Sequence, residues 1–152
     1  MKTILRCVLG IFLALLLLLG IGVGLLRNAL NDSLSKKEIL ALVEENSALV
    51  LQDIEKNEFS ETLLIEGIKE ISPVEDVIDF YCGGAGMGPA TSYYGFYYTA
   101  EDVPAAIFCG TSLGSKELLA QDGKGFSVSA EGDDHYYTEK ILDHFYYYEA
   151  HF

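Results

Sequence analysis

The sequence predicts an α+β domain carried behind an N-terminal transmembrane helix. Three observations predict it. Residues Cys7 to Leu26 form an uncharged run of 20 residues. Ser35-Lys36-Lys37-Glu38 opens a stretch with helical spacing. After Gly67, apolar residues recur mostly at every second position, punctuated by turn residues. A helix followed by strands is the α+β order, with one amphipathic helix packed on an antiparallel sheet of about five or six strands. The expected division is a membrane anchor with a short flank (1–27), a linker (28–34) and an acidic extracytoplasmic α+β domain (35–152).

The anchor rests on length and polarity. At about 1.5 Å per residue, the run spans roughly 30 Å, the thickness of the hydrocarbon core of a bilayer. It is apolar on every face, whereas a soluble helix keeps a polar stripe. Signal peptides have shorter apolar cores, about 7–15 residues, ending at a small-x-small cleavage site. Here Gly22-Val23-Gly24 runs straight into Leu25, Leu26 and Arg27, so an uncleaved single span is expected. Cys7 precedes the apolar core and so cannot be the cysteine of a lipoprotein signal. Lys2 and Arg6 precede the span in a flank without acids, which predicts a cytoplasmic N-terminus. The expected location is therefore the cell membrane, single-pass, with the C-terminal domain outside.

The helix is expected from about Lys36 to Lys56. Ser35 and Glu38 form a capping box, each side chain serving the other's backbone N–H. Ile39, Leu42, Val43, Val50 and Ile54 supply the apolar stripe, and Glu44, Glu45, Asp53 and Glu55 the outer face.

The strands come after it. Gly67–Ser72 reads as the first, ended by Pro73. Asp76–Cys82 is the second and Ser92–Thr99 the third. Between them, Gly83–Pro89 has the look of a phosphate loop. Such a loop needs a helix start after it, where aligned N–H groups bind the anion. Instead a tyrosine strand comes next, and no Lys-Ser/Thr pair closes the run, so an irregular glycine connection is expected. Ala105–Cys109 reads as an edge strand behind Pro104, which cannot donate to a ladder. Ser115–Leu119 reads as an exposed helical turn or loop. Lys124–Glu131 and His135–Ile141 form a hairpin about Gly132-Asp133-Asp134. Phe145–Phe152 closes the chain as a last strand.

Charge narrows the partners. Residues 28–152 hold seven Lys against 23 Asp or Glu, 16 more acids than bases. That balance repels nucleic acid and anionic lipid. It suits a cationic peptide or protein.

The candidate functional residues are few. In the third strand Tyr94, Phe96 and Tyr98 share one face, and Tyr93, Gly95 and Tyr97 the other. The helix covers the first face. Nothing obvious covers the second, so Tyr93 and Tyr97 are the candidate ligand-binding residues, tyrosine joining an apolar ring to a polar tip. Cys82 and Cys109 are a candidate disulfide pair outside the membrane, with buried free thiols the alternative. His135, His144 and His151 are spaced nine and seven apart, which matches no compact zinc motif, so no metal and no cofactor is expected. The expected function is a non-catalytic binding module. The alternative is a cell-envelope enzyme using a histidine/carboxylate site, with a cysteine beside His144 as one conceivable nucleophile.

Two stretches carry a resemblance: CGGAGMGPATSYYGFYYTAEDVP and DGKGFSVSAEGDDHYYTEKILDHFYYYEAHF. They resemble small bacterial membrane proteins with a single N-terminal span. Those share a CGG-glycine loop, a YYGFYY strand, a G-D-x-x-Y-Y-T-E hairpin and an aromatic C-terminus. The likeness covers roughly Lys36 to Phe152. Where such proteins often carry a tryptophan, this chain has Phe145, and it has no tryptophan anywhere. The resemblance implies a bacterial envelope setting and transfers no catalytic residue.

Overall fold

Ser35 starts the first helix, α1 (Lys36–Lys56), by the expected reciprocal contact. The Glu38 N–H donates to Ser35 Oγ, and the Ser35 N–H and hydroxyl donate to the Glu38 carboxylate at 2.8 and 2.6 Å. Asn57 ends the helix in the left-handed region, its N–H returning to Asp53 and Ile54. The computed structural model describes residues 33–87, 90–108, 111–112, 119–129 and 134–152. The expected anchor and most of the linker lie outside them. Among the described residues no helix is long and apolar enough to cross a membrane. Ser33–Phe152 is one compact unit.

Asp53 differs from expectation. It is buried rather than outward-facing. Its carboxylate accepts from the Thr62 N–H at 2.9 Å and the Thr62 hydroxyl at 2.8 Å, capping a short 3-10 turn at Thr62–Leu64. The Thr62 N–H holds the Asp53 carboxyl below its ordinary range.

The described residues then form nine strands: β1 (Glu70–Val74), β2 (Val77–Met87), β3 (Ala90–Thr99), β4 (Ile107–Phe108), β5 (Thr111–Ser112), β6 (Ala120–Asp122), β7 (Gly125–Ser129), β8 (His135–Leu142) and β9 (Phe145–His151). Seven make one antiparallel sheet in the order β1-β2-β3-β9-β8-β7-β6, while β4 and β5 form a small ladder of their own. The α+β class holds, with one helix on the sheet. The expected count of five or six strands is corrected to seven. The added strand is β6, whose Ala-Gln-Asp is too short and polar to show a period. It is secured by pairing with β7 across the turn at Gly123.

Two further expectations are corrected. The described part of the glycine run is strand, not irregular connection: β2 continues through Gly83 to Met87, paired with β3. A side chain at Gly86 would come within 2.1 Å of the Ala90 carbonyl oxygen, so only glycine allows this close pairing. A bulge at Cys82 absorbs the register shift between Tyr81 and Gly83. Pro73 lies inside β1 rather than ending it. β1 is an edge strand, where a missing N–H is tolerated.

The sheet has a core on each face. On one, Ile39, Leu42, Val43 and Val50 of α1 pack on Phe80, Phe96, Phe145 and Tyr147. Each such burial contributes about 1.5–3 kcal/mol. On the other, Tyr97, Tyr136, Tyr146 and Tyr148 pack with Val77 and Ala150 beneath Ala105, Ala106 and Ile107. The second face is therefore covered, contrary to expectation, by the segment between β3 and β4.

Candidate functional site

That segment is held by tyrosine hydroxyls. The Ala105 N–H donates to the Tyr97 oxygen at 2.8 Å, and Tyr136 donates to the Ala105 carbonyl at 3.0 Å. Tyr146 donates to the Asp102 carbonyl at 2.8 Å. The Thr138 hydroxyl gives its one hydrogen to the Tyr147 carbonyl at 2.8 Å, so Tyr97 is the donor in its 2.9 Å bond to Thr138. One directed chain thus runs from Ala105 through Tyr97 and Thr138 to Tyr147, wholly buried. Burial pushes the Tyr97 and Tyr136 hydroxyls above their ordinary range, which keeps them neutral donors.

Asp102 anchors the start of the segment. Lys140 donates to its carboxylate at 2.6 Å and the His144 N–H at 2.9 Å. Lys140 and then His144 hold its carboxyl down at about 2.

Tyr97 is thus a core residue, 0% exposed. Of the two candidate tyrosines, Tyr93 is the one that reaches solvent. It lines a cleft of about 230 Å³ with Glu70 and Ser72 of β1 and Asp79 and Tyr81 of β2. The cleft is built from cross-strand pairs: Glu70 stands opposite Tyr81, and Ser72 opposite Asp79. The Tyr81 and Tyr93 rings lie 6.2 Å apart, tilted by 45°. Phe152 meets Tyr93 edge-on at 6.3 Å. Glu70 is exposed, while Asp79 is 2% exposed. The cleft offers two carboxylates, a hydroxyl and two aromatic rings, groups that suit a cation. Sequence reasoning misses Glu70, Asp79 and Tyr81. Their alternation with apolar residues in β1 and β2 is the signal that could have found them.

Of the candidate disulfide pair, Cys82 alone lies among the described residues. Cys82 is a free, buried thiol in the β2 bulge. Burial, and then the Asp79 carboxylate, push it up to about 12, so it is neither nucleophile nor ligand at ordinary pH. Cys109 lies outside the described residues, and the disulfide question lies there with it.

The histidines divide. His144 sits in the β8–β9 turn in the left-handed region, φ 69, with its Nδ1–H donating to the Thr99 carbonyl at 3.1 Å. It is a turn residue, its ring engaged with the end of β3. His135 and His151 stand directly opposite each other on β8 and β9. Ser92 is hydrogen-bonded to His151 at 2.7 Å, and Glu149 lies 3.9 Å from the other ring nitrogen. That second distance is too long for a hydrogen bond, so a serine–histidine–carboxylate relay is not assembled. Among the described residues no group of three or more His, Cys, Asp or Glu side chains is gathered for a metal ion.

Comparison with known proteins finds no matching family model, no matching curated protein and no matching solved structure.

Proposed function

We propose that the chain is a membrane-anchored, extracytoplasmic binding module of the bacterial envelope, whose cleft takes a Lys or Arg side chain of a cationic peptide or protein. The observation that carries the reading is the convergence of Glu70 and Asp79 with the rings of Tyr81 and Tyr93 on one cleft. A cation over an aromatic face gains about 0.5–2 kcal/mol, more as water is excluded. A carboxylate beside it adds charge-assisted hydrogen bonds. The excess of 16 acids over bases in residues 28–152 draws cations toward the domain from a distance. The uncharged run with its basic leading flank supports the anchor and its orientation.

The test uses the full chain in detergent micelles and an arginine-rich peptide as probe, with an acidic peptide of equal length beside it. Binding of the basic probe alone is expected at low salt. It should weaken as salt rises, since exposed charges are screened beyond about 8 Å at physiological ionic strength. Glu70→Gln and Tyr93→Ala should each reduce it. Tyr97 is not a suitable site for the test, because its removal reports on folding. Equal binding by parent and both variants, or no binding at low salt, overturns the cleft. An alkaline phosphatase fused after Phe152 should be active. A cytoplasm-only fluorescent reporter lighting up there overturns the orientation.

A further inference from the structure

The loop after α1 turns two leucines outward. Leu64 is 84% exposed and Leu63 48%, the most exposed large apolar side chains among the described residues. Their neighbours do the packing: Phe59 and Ile65 lie against the helix-covered core, and Thr62 is buried. The turn that carries the leucines is firmly held. The buried Asp53 carboxylate accepts from both the Thr62 N–H and its hydroxyl. The Leu63, Leu64 and Ile65 N–H groups donate to the Phe59, Glu61 and Thr62 carbonyls at 3.0, 3.0 and 3.1 Å. Four successive backbone donors are thereby satisfied internally, which entry into a medium poor in water demands.

We infer that Leu63 and Leu64 enter the headgroup boundary of a zwitterionic bilayer. The inference rests on the membrane anchor of the proposed function and not on the cleft. The point where the chain enters the domain selects this occupant. Leu34 packs on the same core and lies against the loop, since a Cβ at Gly67 would fall 2.4 Å from a Leu34 methyl carbon. Leu64 is three residues from Gly67, so their Cα atoms lie within about 11 Å of each other. Seven residue steps lead from Arg27, at the end of the apolar run, to Leu34, and fully extended they reach at most about 25 Å. The leucine turn is therefore tethered within short reach of the bilayer. Two leucines are too few to hold a free domain on lipid, where even one acyl chain attaches only reversibly. A tether makes the second contact intramolecular, so a weak contact suffices. Charge selects the lipid. Glu58, Glu61 and Glu66 are exposed around the turn with Lys56 and Lys69, three acids against two bases. That rim gains nothing from an anionic surface and is not repelled by a zwitterionic one.

The chain has no tryptophan, so one placed at the turn reports alone. The full chain carrying Leu64→Trp is reconstituted in phosphatidylcholine vesicles, with Gln121→Trp on exposed β6 as the comparison. The Leu64→Trp emission should shift to the blue and lose several-fold more intensity to acyl-brominated lipid than that of Gln121→Trp. Bromine about 5–10 Å below the surface should quench it more than bromine at the bilayer centre. Adding Leu63→Ser should reduce the quenching, which separates the native contact from the pull of the new indole ring. Admixed anionic lipid should reduce it as well. Retention of the chain through an alkaline carbonate wash reports the anchor independently of the turn. Release by carbonate overturns the anchor, and with it the tether that the inference needs. Retention with a Leu64→Trp emission quenched by aqueous iodide and not by brominated lipid overturns the inference alone. So does quenching that Leu63→Ser leaves unchanged. A blue-shifted emission untouched by either quencher assigns the leucines to a protein contact, such as a second copy of the chain, and overturns the bilayer.

Discussion

Replacing Tyr97 by Phe tests the covering segment with a single-atom deletion. The ring stays, so packing against Tyr146, stacked at 5.3 Å, is kept. Only the hydroxyl between Ala105 and Thr138 goes. Thr138 keeps its bond to the Tyr147 carbonyl and loses an incoming hydrogen, a modest change. The Ala105 N–H loses its acceptor at 2.8 Å, at a residue 5% exposed. Leaving a buried donor unpaired costs about 1–3 kcal/mol, and the lost bond to Thr138 adds about 0.5–1. The expected destabilisation is therefore about 1.5–4 kcal/mol, a large share of the roughly 5–15 kcal/mol a domain commands. Urea unfolding of the full chain, followed by far-ultraviolet circular dichroism, measures it. Tyr98→Phe, at a half-buried ring on the other face, is the control and should move stability by less than about 0.5 kcal/mol. Thr138→Val breaks the same chain one link further on. The double variant should destabilise less than the sum of the two singles, since both interrupt one chain. A Tyr97→Phe protein within about 0.5 kcal/mol of the parent, or strictly additive singles, refutes a stabilising role for this hydrogen-bonded chain.

Asp102 has its folded-state carboxyl held at about 2, below the ordinary carboxylate value near 3.9 expected when unfolded. Its contribution is therefore present above about pH 4 and lost as pH falls through about 2. Asp102→Asn should flatten that acid limb of a stability-versus-pH curve, and an unchanged limb would contradict the assignment. Cys82 should resist a thiol reagent at pH 8 in the native protein and react once urea unfolds it, because the group is buried and raised to about 12. Rapid native labelling mapped to Cys82 would show that the bulge opens. Ser35→Ala should lower stability by about 1 kcal/mol through loss of the capping box, read as a lowered thermal midpoint. Gly95→Ala should destabilise by about 1–3 kcal/mol, since its Cβ would fall 2.5 Å from the Phe80 carbonyl oxygen and 2.7 Å from the Tyr148 ring. A soluble, equally stable Gly95→Ala protein would show that β3 yields there.

The elements legible in the sequence are those fixed locally. Ser35 and Glu38 cap α1 through contacts three residues apart, and the helix bounds Lys36–Lys56 agree with them. The alternation of Tyr93 to Tyr98 assigns each ring to its face correctly, because side-chain direction in a strand depends only on parity. The misread elements depend on partners distant in the chain. The glycine run is strand because β3 folds back on it, and propensity alone argues against glycine in strands. Asp53 alternates onto what looks like a polar face, yet Thr62, nine residues on, turns it into a buried cap. β6 exists only through its pairing with β7.

The tyrosines mark where sequence reading reaches its limit. A same-face set of four large tyrosines fits a binding surface and a core equally well. The choice turns on whether the chain supplies small residues to lie over the rings and backbone groups to meet the hydroxyls. Here Ala105 and Ala106 do the first, and the Ala105 N–H and carbonyl do the second. Side chains no larger than a methyl let the segment approach closely enough for main-chain atoms to reach phenolic oxygens, which a bulky pair would prevent. The same face continues past the segment toward β1, and there the pattern changes from tyrosine against alanine to tyrosine against carboxylate. On the proposed function, a face that closes on itself at one end and opens an acidic, ring-lined cleft at the other divides stability from recognition. Variants at Tyr97 and Tyr136 should therefore report on folding, and variants at Glu70 and Tyr93 on binding, although all four side chains belong to one side of one sheet.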